Sequence, residues 1–474
     1  MTADDRRRGA CPTLSKPMLT GDGFLARLSP MQGGFSPDGL RAVAEAARRH
    51  GNGVLEVTSR GNLQVRGLSE ASAGRLAEEL DRLGLAFRSG LAVETGSLAG
   101  LDEQEIADPH PLSAQLAAAV AGKLAGLGPK ISVVVDSGGR LTSSALSADI
   151  RLQAVRVDEA VLWRLSLAGT AATATPLADL SEDEACHAAS RLLLAIAARG
   201  PKARARDLLE EPAELSALVG FSPPVEARSE TDSAPSTTLR VVPLPRFAEE
   251  DPQRRDRRDL DPPPFMGEGD RRRQWRGPED ATSESSPAGL FPLRDGSAAL
   301  GLALPFGQIS AGELAAFCDA ASAAGAREIR LAPQHGILAL GLAVNGISAL
   351  RRAAQTLGLV ADPADPRLRV TACAGAPACA SGVTATKDLA VELAAALPHH
   401  EPSRLHVSGC PKRCGAPAGA WELVGETPET LTLRSPGGPQ HAVARGEAVA
   451  AFRRLVEPAG RETRPEEAAL AARG

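Results

Sequence analysis

Cys373 and Cys379, with five residues between them, and Cys410 and Cys414, with three, are the residues of this chain whose type and spacing most directly imply chemistry. Thirty residues separate the two pairs, so a fold can bring them together from different directions. Four converging thiolates are what a [4Fe–4S] cubane requires. The loops read TACAGAPACASG and HVSGCPKRCGAP, and their glycine, alanine and proline let a backbone turn sharply close to a bulky inorganic core. Ser381-Gly382 then leads into VTATKDLAVELAAAL, a helical pattern. It would set Cys379 near a helix N-terminus, where the dipole favours a thiolate.

Structural zinc sites space paired cysteines by two to four residues, and a five-residue gap lies outside that habit. Disulfides are disfavoured because MTADDRRRGA has no apolar signal region and no membrane-spanning segment follows, so the expected compartment is the reducing cytoplasm. Cys186 and Cys318 lie within helical patterns and are expected to be small core residues. Cys11 falls in a Pro- and Gly-containing N-terminal stretch that reads as irregular.

The elements that must position the cysteines emerge from a repeat. Placing Ser36 over Ser310, a shift of 274, aligns SPDGLRAVAEAARRHGNGVLEVTSRGNLQVRGL with SAGELAAFCDAASAAGAREIRLAPQHGILALGL without a gap. Each copy reads as a strand, a Ser-capped helix, a glycine stop and two alternating strands. This β-α-β-β order is half of a ferredoxin-like unit, so the two copies are expected to pair. A longer αβ segment follows each copy, and only the second carries the four cysteines.

Differences between the copies locate the chemistry. Arg60, Asn62, Gln64 and Arg66 align with Gln334, Gly336, Leu338 and Leu340. Residues two apart share a strand face, so the first copy projects a polar, cationic row where the second projects mainly small or apolar groups. The row is either an anion-binding surface or a solvated strand face.

Composition narrows the function classes. The 474 residues hold 53 Lys plus Arg and 58 Asp plus Glu, a net charge of −5, so no basic field advertises nucleic acid. With no Tyr and three Trp, stacking platforms for single strands are scarce as well. No membrane partner is expected. Residues 226–290, rich in Pro, Arg and acids, read as a disordered or extended linker.

The repeat, both cysteine pairs, the strand Thr58-x-Arg60-x-Asn62-x-Gln64 and the Pro129-Lys130 strand start together resemble the nitrite/sulfite reductase superfamily. That resemblance implies an α+β fold of duplicated ferredoxin-like half-domains plus two αβ reductase-type domains. The order is an arm (1–20), half-domain (21–90), αβ domain (91–225), linker (226–290), half-domain (291–360) and cluster-bearing αβ domain (361–474). In reductases the strand arginine and its neighbours bind the carboxylates of sirohaem, and a cluster cysteine, by position Cys414, bridges to the sirohaem iron.

Within the superfamily, Arg8-Gly9-Ala10-Cys11-Pro12, Pro17-Met18-x-Thr20-Gly21-Asp22-Gly23, Arg330-Leu331-Ala332-Pro333-Gln334-His335-Gly336 and Val370-Thr371-Ala372-Cys373 are most similar to the precorrin-3B synthases of aerobic cobalamin synthesis. The resemblance implies an O2-dependent monooxygenase that hydroxylates precorrin-3A with γ-lactone formation, uses a [4Fe–4S] cluster and carries an additional mononuclear non-haem iron. It also implies that Arg60, Asn62, Gln64, Arg66 and Lys130 bind the substrate. His110, His335 and His406 are candidate ligands for the second iron. Lys130 alternatively caps a sheet edge with a solvated charge.

The departures from reductases point the same way. LGPKISVVV keeps Lys130 but has Ser132 where a second small-anion lysine would stand, and LAVETGSLAGL lacks the expected arginine. No G-x-G-x-x-G turn follows a strand, so electrons must come from an external donor, an NADH-linked reductase or a ferredoxin. The competing functions are a sirohaem-dependent sulfite or nitrite reductase and a non-enzymatic iron–sulfur electron carrier. The carrier would need neither a macrocycle-sized cavity nor the Arg60 row.

Overall fold

Ser36 and Ser310, 274 positions apart, both turn out to be helix N-caps. Ser36 Oγ accepts from Gly39 N at 3.0 Å and Ser310 Oγ from Glu313 N at 3.1 Å, each satisfying an amide that the first helical turn leaves without a partner. The structure is a computed structural model that describes residues 12–29, 33–88, 90–220, 286–397, 404–417 and 419–456. Cys11 and nearly all of the segment read as a linker lie outside the described residues.

The first copy comprises β1 (Met18–Thr20), β2 (Gly23–Leu28), α1 (Pro37–His50), β3 (Val54–Val57), β4 (Leu63–Leu68) and α2 (Glu70–Arg82). An αβ domain follows, with β5 (Ala92–Thr95), α3 (His110–Val120), β6 (Ser132–Asp136), β7 (Ala148–Val157), β8 (Ala160–Gly169), β9 (Thr175–Leu180), α4 (Glu182–Ala198), α5 (Ala205–Leu208) and α6 (Pro212–Val219). The second copy comprises β10 (Gly289–Pro292), β11 (Ala298–Ala303), β12 (Gln308–Ser310), α7 (Ala311–Ala323), β13 (Glu328–Ala332), β14 (Gly336–Leu342) and α8 (Val344–Thr356). The second αβ domain has β15 (Val370–Ala372), α9 (Lys387–Ala394), β16 (Leu405–Ser408), β17 (Trp421–Gly425), β18 (Thr430–Arg434), β19 (Gln440–Ala444) and α10 (Ala448–Val456).

The half-domain sheets run β1-β2-β4-β3-β12 and β10-β11-β14-β13. They interlock reciprocally: Ile309 of the second copy pairs with Leu55 of the first, and Phe35 of the first pairs with Ile329 of the second. These pairings superimpose under the same 274-residue shift, which makes the copies a pseudo-symmetric dimer in one chain. Helices α1 and α7 pack on each other, and one core holds Leu40, Val43, Leu55 and Val65 of the first copy with Leu314, Phe317, Ile329 and Ile337 of the second.

Duplication continues in the αβ domains. Both sheets, β5-β6-β7-β8-β9 and β15-β16-β17-β18-β19, have three parallel strands followed by two antiparallel ones, and each domain has its own core. Two boundaries move from their expected places. β1 lies in residues assigned to the arm and β10 begins in residues assigned to the linker, each pairing antiparallel with the next strand. Both are short edge strands flanked by proline, too brief for an alternating pattern to reveal.

Cys186 and Cys318 are buried in α4 and α7 as expected, at 2% and 1% exposure. Burial pushes the Cys318 thiol up to about 12. Among the described residues no helix is long and apolar enough to cross a membrane.

Candidate active site

The turn between β3 and β4 is closed by Thr58 N–H to Asn62 O (2.8 Å) and Gly61 N–H to Thr58 O (2.9 Å), which leaves Arg60 at its tip. The equivalent turn of the second copy meets it: Gln334 N donates to Ser59 O at 3.0 Å, and Arg60 bridges to Pro333. Gln334 and His335 hold left-handed backbone (φ 57° and 64°), an uncommon state for non-glycine residues that the surrounding contacts must sustain.

Two clefts open beside this junction, of about 320 and 120 Å³, and Arg60, Ser97, Leu146 and Pro333 line both. The larger adds Ser59, Thr142 and Gln334, and the smaller adds Asn62, Arg88, Glu94, His110 and Arg330. Cationic side chains from both copies thus surround the smaller cleft. Arg88 Nη1 donates to Val93 O at 2.6 Å, while burial lowers its basicity against the opposing pull of Glu94.

Arg60 itself is engaged. Its Nε and Nη2 donate to Glu94 Oε1 and Oε2 at 3.2 and 2.8 Å, and Nη1 donates to Ser147 O at 2.9 Å. Ser132 Oγ lies 3.4 Å from Nη2. Ser132 therefore does more than lack the amine of a lysine: it is a neutral neighbour of the cleft arginine. Glu94 belongs to the segment noted for its missing arginine, and it places an opposite charge on Arg60. Sequence reasoning overlooked Glu94, whose only signal was its position in that segment.

The rest of the row is buried rather than solvated: Asn62, Gln64 and Arg66 are 7%, 8% and 3% exposed. With its amide turned to satisfy both neighbours, Gln64 donates to Glu56 Oε2 (3.2 Å) and accepts from Arg27 Nη2 (3.0 Å). Arg66 faces Asp22, Glu56 and the cysteine-bearing loop, and it lines neither cleft. Lys130 is exposed just before β6 and also lines neither cleft, whereas Ser132 two residues on touches Arg60.

In the second copy, the aligned Leu338 and Leu340 pack with Leu98, Leu141 and Phe291. One sheet face is thus sealed by apolar contacts with the first αβ domain, and its pseudo-symmetric partner stays polar.

All four pair cysteines are free thiols: Cys410 is buried, Cys373 and Cys379 half-buried and Cys414 exposed. Burial, then the nearby Cys410, Cys373 and Cys379, push the Cys414 thiol up. Gly409 N–H points at Cys373 Sγ, 3.1 Å away, a donor of the kind that stabilises a thiolate ligand. A Cβ on Gly409 would come within 2.8 Å of Gly375 Cα, so the loops close only with glycine there. Lys387 Nζ, donating to Phe306 O (2.5 Å) and Ala372 O (3.3 Å), ties β15 to the second half-domain. Arg413, between Cys410 and Cys414, grips Glu422 through both carboxylate oxygens.

Cys379 is not at a helix N-terminus. α9 begins at Lys387, because the intervening backbone bonds across the loop instead: Ala376 N to Thr384 O (2.9 Å), Val383 N to Gly409 O (2.8 Å) and Thr386 Oγ1 to Cys373 O (2.7 Å). Those bonds compete with helical i→i−4 bonding and pull the cysteine loops together.

Among the described residues no group of three or more His, Cys, Asp or Glu side chains is arranged to hold a single metal ion. The three histidines are not brought together. His110 lines the smaller cleft with Nδ1 2.7 Å from Asp108, and His335 Nδ1 meets Val57 O at 2.5 Å. His406 lies buried in β16, Nδ1 2.9 Å from Thr371 Oγ1, and burial lowers it to about 4. Each histidine thus has its own partner, in Asp108, Val57 and Thr371, rather than a shared site with the other two.

Comparison with known proteins gives this geometry its family. Residues 16–83 match the nitrite/sulfite reductase ferredoxin-like half domain. The structure of the Mycobacterium tuberculosis NirA protein superimposes with a TM-score of 0.66 at 17% identity, covering 93% of this chain and 82% of that one, which establishes the fold. A protein of Sinorhizobium sp named precorrin-3B synthase is 36% identical over 420 residues, 88% of this chain and 80% of that protein. The chain belongs to the precorrin-3B synthase family. Its enzymatic class is accordingly oxidoreductase. The α+β architecture of this precorrin-3B synthase family member is the NirA-like one, and the polar face of β4 lies between the clefts at Arg60 and the cysteine loops at Arg66.

Proposed function

We propose that this chain is a precorrin-3B synthase, taking precorrin-3A, O2 and two electrons to a hydroxylated γ-lactone. One oxygen atom enters the macrocycle, and the other leaves as water with two protons and two electrons from an external reductase or ferredoxin. The observation that carries the reading is the 36% identity over 420 residues, 88% of this chain.

The site chemistry supports it. Precorrin-3A bears many carboxylates, and Arg60, Arg88 and Arg330 around the clefts offer charge-assisted hydrogen bonds to such groups. Arg60 would exchange Glu94 for a substrate carboxylate. Asn62 supplies a neutral polar edge beside it, and Lys130, exposed before β6, can reach the site only once a macrocycle extends past the clefts. Cys373, Cys379, Cys410 and Cys414 fit a [4Fe–4S] cluster, which supplies one-electron transfer when bound. The cytoplasm suits such thiolates.

A small-anion reductase site is disfavoured by Ser132 and Glu94, which leave Arg60 paired rather than ready for a dianion. The test is to incubate the reduced protein with precorrin-3A under isotopically labelled oxygen and weigh the product. One incorporated oxygen atom is expected. Bound sirohaem with sulfite turnover and no labelled product would overturn the assignment.

A further inference from the structure

Arg66 stands toward the opposite end of β4 from the clefts, roughly 13 Å beyond Asn62 at the rise of an extended strand. All three of its guanidinium nitrogens are engaged. Nε and Nη2 donate to Asp22 Oδ2 and Oδ1 at 3.0 and 2.8 Å, and Nη1 donates to Glu56 Oε2 at 3.1 Å. Nη2 also donates to the carbonyl oxygen of Ala378 at 2.6 Å.

That carbonyl belongs to the peptide joining Ala378 to Cys379. Gly21 N–H donates to the same oxygen at 3.1 Å, and the other end of the peptide, Cys379 N–H, donates to Gly375 O at 2.7 Å. The peptide is therefore pinned at both ends, on one side by the first half-domain and on the other by its own loop. A Cβ on Gly21 would strike Ala380 N, 2.8 Å away, which shows how closely the chain before β2 approaches the loop.

The fold does not need an arginine at this register. Leu340, the aligned residue of β14, is 2% exposed in an apolar cluster, so the same strand position packs well without charge. A buried arginine with two carboxylates is costly to desolvate and is weak support for stability alone. What distinguishes Arg66 from Leu340 is the object it touches, the backbone of a cysteine loop.

We propose that Arg66 is a positioning residue: through Ala378 O it fixes the Cys379 thiolate and, with Asp22, sets the charge that an iron–sulfur cluster on these cysteines experiences. The inference rests on the reading of the four cysteines as cluster ligands.

The test uses anaerobically purified full-length protein as wild type, Arg66→Met, Arg66→Lys and Asp22→Asn. Iron and sulfide content, the midpoint potential from an EPR-monitored titration, and the rate of bleaching by a chelator are read for each. Arg66→Met is expected to lower the potential and bleach about tenfold faster, the scale on which outer-shell partners affect metal sites. Asp22→Asn removes a negative charge and is expected to raise the potential, with Arg66→Lys closer to wild type than Arg66→Met. A merely structural role would move stability in both variants and leave the potentials alone. Wild-type protein without iron and sulfide would overturn the cluster reading itself, and this inference with it. A cluster in wild type with unchanged potential and bleaching in Arg66→Met would overturn the inference alone. If Arg66→Met does not fold, an unchanged potential in Asp22→Asn overturns it.

Discussion

Arg60 and Glu94 form a two-pronged ion pair, Nε to Oε1 at 3.2 Å and Nη2 to Oε2 at 2.8 Å, at the shared wall of the two clefts. The Arg60 side chain is 33% exposed and that of Glu94 11%, so the pair is open to competition from a soluble carboxylate. Glu94→Gln should free the guanidinium and tighten tetrapyrrole binding about two- to fivefold, the worth of a partly exposed pair. Titration calorimetry with a uroporphyrinoid carboxylate checks this. Weaker binding in the variant would show that Glu94 contacts the ligand instead of competing with it.

Arg60→Ala removes the cation itself. Hydrogen bonds to charged groups contribute about 1.5–3 kcal/mol, so the dissociation constant should rise roughly ten- to a hundredfold. The visible spectrum of the cysteine site should not change, because Arg60 lines the clefts and touches none of the four thiols' loops. Binding and absorption measured on one preparation separate the two effects.

Cys410→Ser tests the other end of the molecule. Cys410 is 8% exposed, and its carbonyl accepts from Ser408 Oγ at 3.0 Å, so the loop should keep its shape with a hydroxyl in place of the thiol. The broad visible absorption and oxygen incorporation should both disappear while far-UV circular dichroism stays as in wild type.

Thiol reactivity should sort the cysteines in metal-free protein. A pKa near 12 leaves only about one Cys318 thiol in ten thousand ionised at pH 8, and the fraction grows as pH rises. Cys186 is pushed up by burial as well. Among the described cysteines, brief alkylation at pH 8 followed by peptide mass spectrometry should label the exposed Cys414 first and leave Cys186 and Cys318 untouched until the protein unfolds. Early labelling of Cys318 would contradict its burial on α7 in the core shared by the two half-domains.

What the amino-acid sequence determined by itself is what contiguous residues encode. Ser36 and Ser310 cap helices whose amides lie three residues away, the strand pairs follow from alternation, and the cysteine pairs are short loops. The duplication was legible because two copies of one local pattern can be laid over each other. Family membership followed from those same runs of residues.

Tertiary structure alone decided what each polar side chain faces. Arg60 and Arg66 share one sequence pattern, yet Arg60 meets Glu94 at a cleft and Arg66 meets Asp22 and Ala378, 44 and 312 residues away. Likewise α9 starts at Lys387 because Val383 and Thr386 spend their hydrogen bonds across the loop, on Gly409 and Cys373. The physical reason is the same in each case: hydrogen-bond and ion-pair partners distant in sequence outweigh local propensity once burial makes an unpaired polar group costly.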